Sequence, residues 1–227
     1  MSVIKYYGHN HLLKRISYYC QIILSGFLIS IGLHNCAPVF SELQSARTVG
    51  KNRIELTPSY SSVNYHNEGD NDGLQNHIGL QAAYGITERI DIRARYERIW
   101  MKEGEIGDGV DILGIGPKFS LLDKKCAFYI PLGRALGEGS EDSWELHPTL
   151  LFTLPALNNK IDLTFSPKYL ITFCKDCDDL IAFNLGIALS TDLNIWAIRP
   201  EYGLLFDPGD SGHFAHFSIG FSKTFGK

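Results

Sequence analysis

The stretch RIDIRARYERIW, residues 89–100, alternates charged and apolar side chains along most of its length. A period of two is typical of a β-strand with two unlike faces. The apolar face of a soluble sheet packs in a core, whereas the apolar face of a membrane barrel meets lipid and the polar face lines the interior. The rest of the sequence has to decide which face is inside.

Composition excludes several classes of protein. The chain has 227 residues and a formal net charge of -4, whereas nucleic-acid binding needs a clustered basic surface. The second half has no long apolar run, which excludes a protein of several transmembrane helices. The sequence contains no phosphate-binding loop, hydrolase elbow or zinc-protease motif. We therefore expect no cofactor, no metal site and no nucleic-acid partner.

The N-terminal region is basic and then apolar. Lys5, Lys14 and Arg15 precede the run YYCQIILSGFLISIGL, residues 18–33. This order predicts a secretory signal peptide over residues 1–36, with an uncleaved inner-membrane helix as the alternative. Residues 37–52 would then form a periplasmic segment, and residues 53–227 a barrel domain.

Two processing sites compete at the end of this region. Leu33 and Cys36 fit a bacterial lipobox, in which the cysteine is lipidated, although Asn35 stands where glycine or alanine is usual. Val39-Phe40-Ser41 offers an ordinary signal-peptidase site instead, with short side chains at the two recognition positions. Lipidation of Cys36 is the favoured expectation, and cleavage near Ser41 is the alternative.

Ten segments from residue 53 onward are predicted strands, and most are long enough to cross a bilayer when tilted. Short and long connections alternate between them, as in an outer-membrane barrel, where short periplasmic turns alternate with longer outer loops. The predicted strands are residues 53–65, 77–85, 89–100, 110–121, 126–133, 143–154, 160–173, 180–190, 194–206 and 213–225.

Acidic side chains dominate the long connections. This pattern predicts an acidic outer end that attracts divalent cations or a cationic solute. The acidic side chains are Glu68, Asp70, Asp72, Glu103, Glu105, Asp108, Glu138, Glu141, Asp142, Asp176, Asp178, Asp179, Asp207 and Asp210. One of these connections also holds Cys174 and Cys177, whose spacing in an exported protein predicts a loop disulfide.

The apolar parity of the strands is bulky, whereas the other parity is rich in small polar residues. Aromatic residues recur near strand ends, as in the girdles of membrane barrels. Residues 53–225 therefore resemble a small porin-like outer-membrane β-barrel of Gram-negative bacteria, and CAPVFSELQSARTVGKNRIELTPSYS, residues 36–61, resembles the start of lipoprotein-type barrels. The predicted fold is all-β, a closed antiparallel up-and-down transmembrane barrel of about ten strands.

The polar parity places acids and bases together in the interior. They predict a lumen charge network that either fills the barrel or lines a narrow conduit, because side chains alone nearly fill a small barrel. The network residues are Asp91, Arg93, Arg95, Glu97, Lys118, Glu145, Arg199 and Glu201.

Three function classes follow from this reading. We expect a structural or solute-passage barrel in the outer membrane, with a periplasmic N-terminus and with membrane lipid, lipopolysaccharide and divalent cations as partners. An outer-membrane enzyme is the second class, because His216 and Ser218 resemble the His-x-Ser of lipid A deacylases. An exported soluble lipid-binding barrel, with the two faces exchanged, is the third. No catalytic residue is assigned.

Overall fold

A computed structural model describes residues 41–67, 69–137, 144–173 and 178–226. Twelve β-segments form one antiparallel sheet, with one short 3-10 turn at Ile106–Asp108. The segments are β1 (Ile54–Asn67), β2 (Asp70–Gly85), β3 (Ile90–Met101), β4 (Val110–Leu122), β5 (Cys126–Tyr129), β6 (Leu132–Leu136), β7 (Trp144–Leu146), β8 (Thr149–Ala156), β9 (Ile161–Phe173), β10 (Leu180–Leu189), β11 (Trp196–Phe206) and β12 (His213–Phe225).

The sheet closes on itself with ten strand positions. β5 and β6 are two halves of one strand interrupted before Pro131, and β7 and β8 are two halves of the next, interrupted before Pro148. Proline has no amide hydrogen to donate to a ladder, but neighbouring backbone bonds continue across the gaps, as from His147 N to Pro131 O at 3.0 Å. β12 pairs with β1, which completes the ring. The predicted closed ten-stranded antiparallel barrel is confirmed.

The connections define two ends of the barrel. The turn end carries the short connections after β2, β4, β8 and β10, and the loop end carries those after β1, β3, β6, β9 and β11. The first outer connection is shorter than predicted, because β2 begins at Asp70 and not at residue 77. The ladder continues to the pair Asn67 and Asp70. The glycine and aspartate residues at the start of β2 are typical of a loop, yet they pair with β1 as part of the strand.

The strand faces lie as the alternation predicts. Tyr96 is 42% exposed on the outside of β3, whereas Asp91 is fully buried on the inside. Large apolar side chains cover the outer surface of every long strand, and the charged and small polar side chains point into the interior. In water this exterior would be a very large apolar patch, whereas in a bilayer it is the lipid-facing belt. Among the described residues, no helix is long and apolar enough to span a membrane.

Residues 41–49 lie inside the barrel and are here called the plug segment. The sequence predicts a periplasmic segment over residues 37–52, and the structure places residues 41–49 of that segment in the lumen. Ser41 through Ala46 are all buried. Val49 lies near the turn end, where its amide faces Asp91 at the start of β3. From there toward Glu42 the chain rises to the middle of the strands.

Candidate functional site

The upper anchor of the plug segment is Glu42, which is fully buried at mid-barrel height. Its carboxylate lies 2.6 Å from Lys168 Nζ of β9 and accepts a hydrogen bond from Gln44 Nε2, also at 2.6 Å. Its carbonyl oxygen accepts hydrogen bonds from Gln81 Nε2 at 3.1 Å and from Arg95 at 3.3 Å. Contacts with β2, β3 and β9 therefore hold this residue and fix the depth of the segment in the lumen.

The middle of the plug segment is held through its backbone. Ala46 N donates to Thr153 Oγ1 at 2.8 Å. Lys118 Nζ donates to the carbonyl oxygens of Ser45, at 3.1 Å, and Arg47. Because these bonds satisfy buried peptide groups that have left water, each removes a desolvation penalty of about 1–3 kcal/mol. The barrel wall thus supplies the hydrogen bonds that a strand neighbour would otherwise provide.

The lower part of the plug segment ends in a second charged anchor. The Arg47 guanidinium makes a two-bond contact with the carboxylate of Asp162 at the start of β9, with Nη2 2.8 Å from Oδ1. It also donates to Asn159 Oδ1 at 3.1 Å. Val49 N lies 3.2 Å from the Asp91 carboxylate. Paired, geometrically matched bonds of this kind are among the stronger contacts of a buried carboxylate.

All eight predicted network residues point into the interior, but they form separate groups. Arg93 and Arg199 share Glu55, at 2.8 and 3.5 Å. Lys118 pairs with Asp91 at 3.7 Å and Arg95 with Glu97 at 3.4 Å, and Glu145 lies 2.8 Å from His147 Nε2. Glu201 accepts backbone hydrogen bonds from the plug segment. The plug segment lies between these groups and links them.

Sequence reasoning missed Glu42 and Arg47, which are the two charged side chains of the plug segment. The eleven-residue stretch SELQSARTVGK, residues 41–51, has no period-two pattern and resembles a polar linker. Its position in the fold depends on contacts with residues more than one hundred positions away in the chain, such as Asp162.

The outer third of the interior is apolar instead of charged. One cluster joins Val63, Leu170, Ala182 and Leu205, with Leu180 and Phe214 packed against it. A second cluster joins Ile99, Ile112 and Ala135 on the other side of the barrel. Leu205 is fully buried and Val63 is 1% exposed, although both lie on the face that an open channel would expose to water. These two clusters, here called the apolar layer, fill the lumen near the loop end.

The cavities along the plug segment are small. One of about 10 Å³ lies beside Leu43 and Glu201, and one of about 30 Å³ lies between Arg47 and Arg199. A single water needs roughly 10–15 Å³, so neither cavity holds more than a few waters. A larger cavity of about 430 Å³ lies at the turn-end mouth, lined by Val49, Arg53 and Glu88 among others. Among the described residues, an open vestibule therefore lies at the turn end, and the lumen around the plug segment above it is closely packed.

The His216 and Ser218 pair is part of the packed interior. His216 Nδ1 lies 2.8 Å from Ser218 Oγ, and His216 Nε2 lies 3.1 Å from Asn184 Oδ1. Gly203 makes this possible, because a Cβ there would lie 2.2 Å from His216 Nε2. His216 is 1% exposed and Ser218 is fully buried. A lipid substrate at the outer surface would not reach this pair, so the geometry does not favour a lipid-cleaving site.

The described loop-end connections retain the acidic character that the sequence predicts. Burial, together with the neighbouring carboxylates of Asp178 and Asp210, raises the pKa of Asp207 above its usual range. In residues 41–67, 69–137, 144–173 and 178–226, no group of three or more His, Cys, Asp or Glu side chains is placed to hold a metal ion. The acidic surface is therefore diffuse.

Three predicted cysteine sites lie outside the described part of the chain. Cys36, the predicted lipidation site, and Cys174 and Cys177, the predicted loop disulfide, all lie outside the described residues. Their roles stay predictions.

Comparisons with known proteins concern the fold alone. No protein-family model and no curated protein sequence matches the chain. An outer membrane channel from Pseudomonas putida F1 is 10% identical with a TM-score of 0.47, covering 84% of this chain and all of the channel. The translocator domain of autotransporter NalP from Neisseria meningitidis is 11% identical with a TM-score of 0.46, covering 92% of this chain and 98% of that domain. Ail, the attachment invasion locus protein of Yersinia pestis, is 12% identical with a TM-score of 0.38, covering 77% and 99%.

The fold assignment follows from the geometry of the chain itself. The ladder closes between β12 and β1, and large apolar side chains such as Phe217 and Leu185 stand exposed on its outer surface. Charged residues at mid-strand, such as Asp91, Lys118 and Glu201, are turned inward. A soluble barrel would require the opposite arrangement of faces, so the exported lipid-binding alternative is not supported. The protein has the fold of a small bacterial outer-membrane β-barrel.

Proposed function

We propose that the protein is a structural, non-conducting barrel of the outer membrane, with its lumen closed by its own plug segment. The observation that carries this proposal is the burial of residues 41–46 among charged side chains of several strands. The turn end, where the plug segment enters, would face the periplasm, as short turns do in this class of barrel. A signal peptide within the N-terminal region would direct export.

Two closures in series support a structural role over solute passage. The plug segment fills the middle of the lumen, and the apolar layer fills the outer third. Passage of a hydrated solute would require both to move. Moving the plug segment alone would separate Glu42 from Lys168 and Arg47 from Asp162, leaving buried charges without partners, which is strongly unfavourable.

The acidic loop end would interact with the lipopolysaccharide around the barrel through divalent cations. Divalent cations drawn to Asp207, Asp210 and their neighbours would bridge this surface to the phosphates of lipopolysaccharide. The lipid-facing belt and these cations together would integrate the barrel into the outer leaflet. Binding of this kind depends on screening, so it would weaken as salt concentration rises.

Planar-bilayer recording of the full protein, purified from outer membranes in detergent, tests the structural role. We expect no stepwise current in the intact protein or in the lipid-facing control Leu204→Ala. Stable, reproducible current steps from the intact protein would contradict the proposal and support solute passage. Washing with a chelator and measuring the release of lipopolysaccharide tests the cation bridge separately, and unchanged retention would refute it.

A further inference from the structure

Two backbone amides of the plug segment, at residues 42 and 43, donate hydrogen bonds to one buried carboxylate. Glu42 N lies 2.7 Å from Glu201 Oε1, and Leu43 N lies 2.8 Å from Glu201 Oε2. Leu43 has a φ of 51°, in the left-handed region that leucine rarely adopts. This turn directs two successive amide groups to the same side, an arrangement that binds anions. Glu201, on β11, is 3% exposed and lies 3.9 Å from His216 Nε2.

Among the described residues, the hydrogen bonds of the plug segment begin at the Glu42 nitrogen. Ser41 is buried, yet among the described residues its hydroxyl oxygen has no hydrogen-bond partner. In the sequence, the bond between Ser41 and Glu42 follows Val39-Phe40-Ser41, which carries short side chains at the first and third positions before that bond. This spacing fits the recognition rule of signal peptidases.

We propose that signal peptidase cleaves the bond between Ser41 and Glu42, and that the new α-ammonium of Glu42 pairs with Glu201 inside the barrel. In this hydrolysis, water adds across the peptide bond and the C–N bond breaks. Ser41 leaves with a carboxylate, and Glu42 keeps the nitrogen as an ammonium group. That nitrogen already lies at hydrogen-bond distance from Glu201. A charged donor strengthens the contact and supplies an opposite charge to a buried carboxylate.

Lipidation of Cys36 is difficult to combine with this position of Glu42. The chain from Cys36 to Glu42 spans at most about 22 Å when fully extended. Glu42 lies at mid-height in a barrel whose apolar belt is about 25 Å tall. A lipid on Cys36 would have to leave the lumen, pass the rim and enter the leaflet outside the wall within that reach. The filled lumen therefore favours cleavage at Glu42 over an acyl anchor.

The mature N-terminus tests the proposal. The full-length gene is expressed in a Gram-negative host, and the protein is recovered from outer membranes for intact mass and N-terminal sequencing. We expect a chain from Glu42 to Lys227 without an acyl adduct, an unchanged product from Cys36→Ser, and unprocessed precursor from Ser41→Leu. A start at Cys36 with an acyl mass, a start at any other residue, or loss of processing in Cys36→Ser would overturn it.

The ion pair is tested on the same mature protein. An amine-reactive reagent is applied to the folded barrel, and labelling of the Glu42 α-amine is compared with that of the exposed Lys51 side chain by peptide mass analysis. We expect the α-amine to be protected in the native protein and to react faster in Glu201→Gln. Equal labelling of Glu42 and Lys51 in the native protein would refute the pairing. These results do not depend on whether the barrel conducts.

Discussion

The middle and the outer third of the lumen are closed in different ways. In the middle, wall residues such as Thr153 and Lys118 bond to the backbone of the plug segment. In the outer third, Leu205, Val63 and their neighbours pack against one another, as wall side chains alone. The first closure uses a separate piece of chain and directional bonds, whereas the second uses close packing. The two closures should therefore respond to different substitutions, the first to loss of a bonding partner and the second to loss of packed volume.

The largest loss of stability is expected from a substitution that disrupts the closure in the middle of the lumen. Lys168→Met leaves the buried carboxylate of Glu42 without its ion-pair partner, which lies 2.6 Å away in the native protein. Removing one member of a buried pair costs about 3–5 kcal/mol. We expect a loss of that size in the free energy of unfolding, measured by urea titration in detergent micelles. The double variant Glu42→Gln with Lys168→Met should recover most of it, and a double variant as unstable as the single one would speak against the pair.

A somewhat smaller effect is expected in the apolar layer. Leu205→Ala removes a fully buried side chain and leaves a cavity, at a cost of about 2–5 kcal/mol. The adjacent Leu204 faces outward on the same strand, so Leu204→Ala is the matched control and should cost clearly less. The same urea titration measures both. Equal losses at the two positions would mean that the outer third of the lumen is not packed as described.

Sequence alternation was enough to predict the wall of the barrel, because each strand carries its own two-faced pattern. Asp91 and Tyr96 lie on opposite faces, as their parity predicts. The apolar layer also has a sequence signal, which the prediction from alternation did not use. Near the loop end, apolar residues occupy both parities, as in Leu204, Leu205 and Phe206. Such a run indicates that the inward face is buried in apolar surroundings at that height.

The plug segment could not be predicted in the same way. Its position depends on bonds to its peptide groups, which every sequence possesses, and on partners such as Asp162 and Glu201 that are remote in the chain. A short polar stretch before the first strand therefore looks the same whether it lies in the periplasm or in the lumen. The eight lumen residues were predicted from parity alone. Parity shows which side chains point inward but not which of them pair, so their division into separate ion pairs could not be predicted.

A third substitution measures how much one hydrogen bond to the backbone of the plug segment contributes to stability. Thr153→Val keeps the shape of the side chain but removes the acceptor for Ala46 N, 2.8 Å away, and the partner of Thr164 Oγ1, 2.9 Å away. An unsatisfied buried amide costs about 1–3 kcal/mol. Thr57 is the matched control: it is 1% exposed, and among the described residues its hydroxyl oxygen has no hydrogen-bond partner. Thr57→Val should be nearly neutral. A neutral Thr153→Val would show that this bond contributes little.

The smallest effect concerns the acidic loop end, outside both closures. The pKa of Asp207 is raised in the folded protein by burial and by Asp178 and Asp210, so its charged form is disfavoured on folding. Stability from this group is therefore gained as pH falls through its raised pKa, and it is lowest at neutral pH. Asp207→Asn should raise stability at pH 7 by less than about 0.5 kcal/mol, because solvent screens a site that is only partly buried. Urea titrations at pH 7 and pH 4 would show the difference shrinking at the lower pH, and a difference that grew would contradict this sign.

The occupied lumen is tested most directly by the accessibility of Ala46, which is fully buried at the centre of the plug segment. Ala46→Cys and the exposed control Lys51→Cys are placed in a chain whose other cysteines are serine. Both are treated in intact outer membranes with a membrane-impermeant maleimide that is admitted from the turn end. We predict complete labelling of Lys51→Cys and no labelling of Ala46→Cys until the barrel is unfolded. Labelling of both at the same rate in the folded barrel would show that the lumen is open.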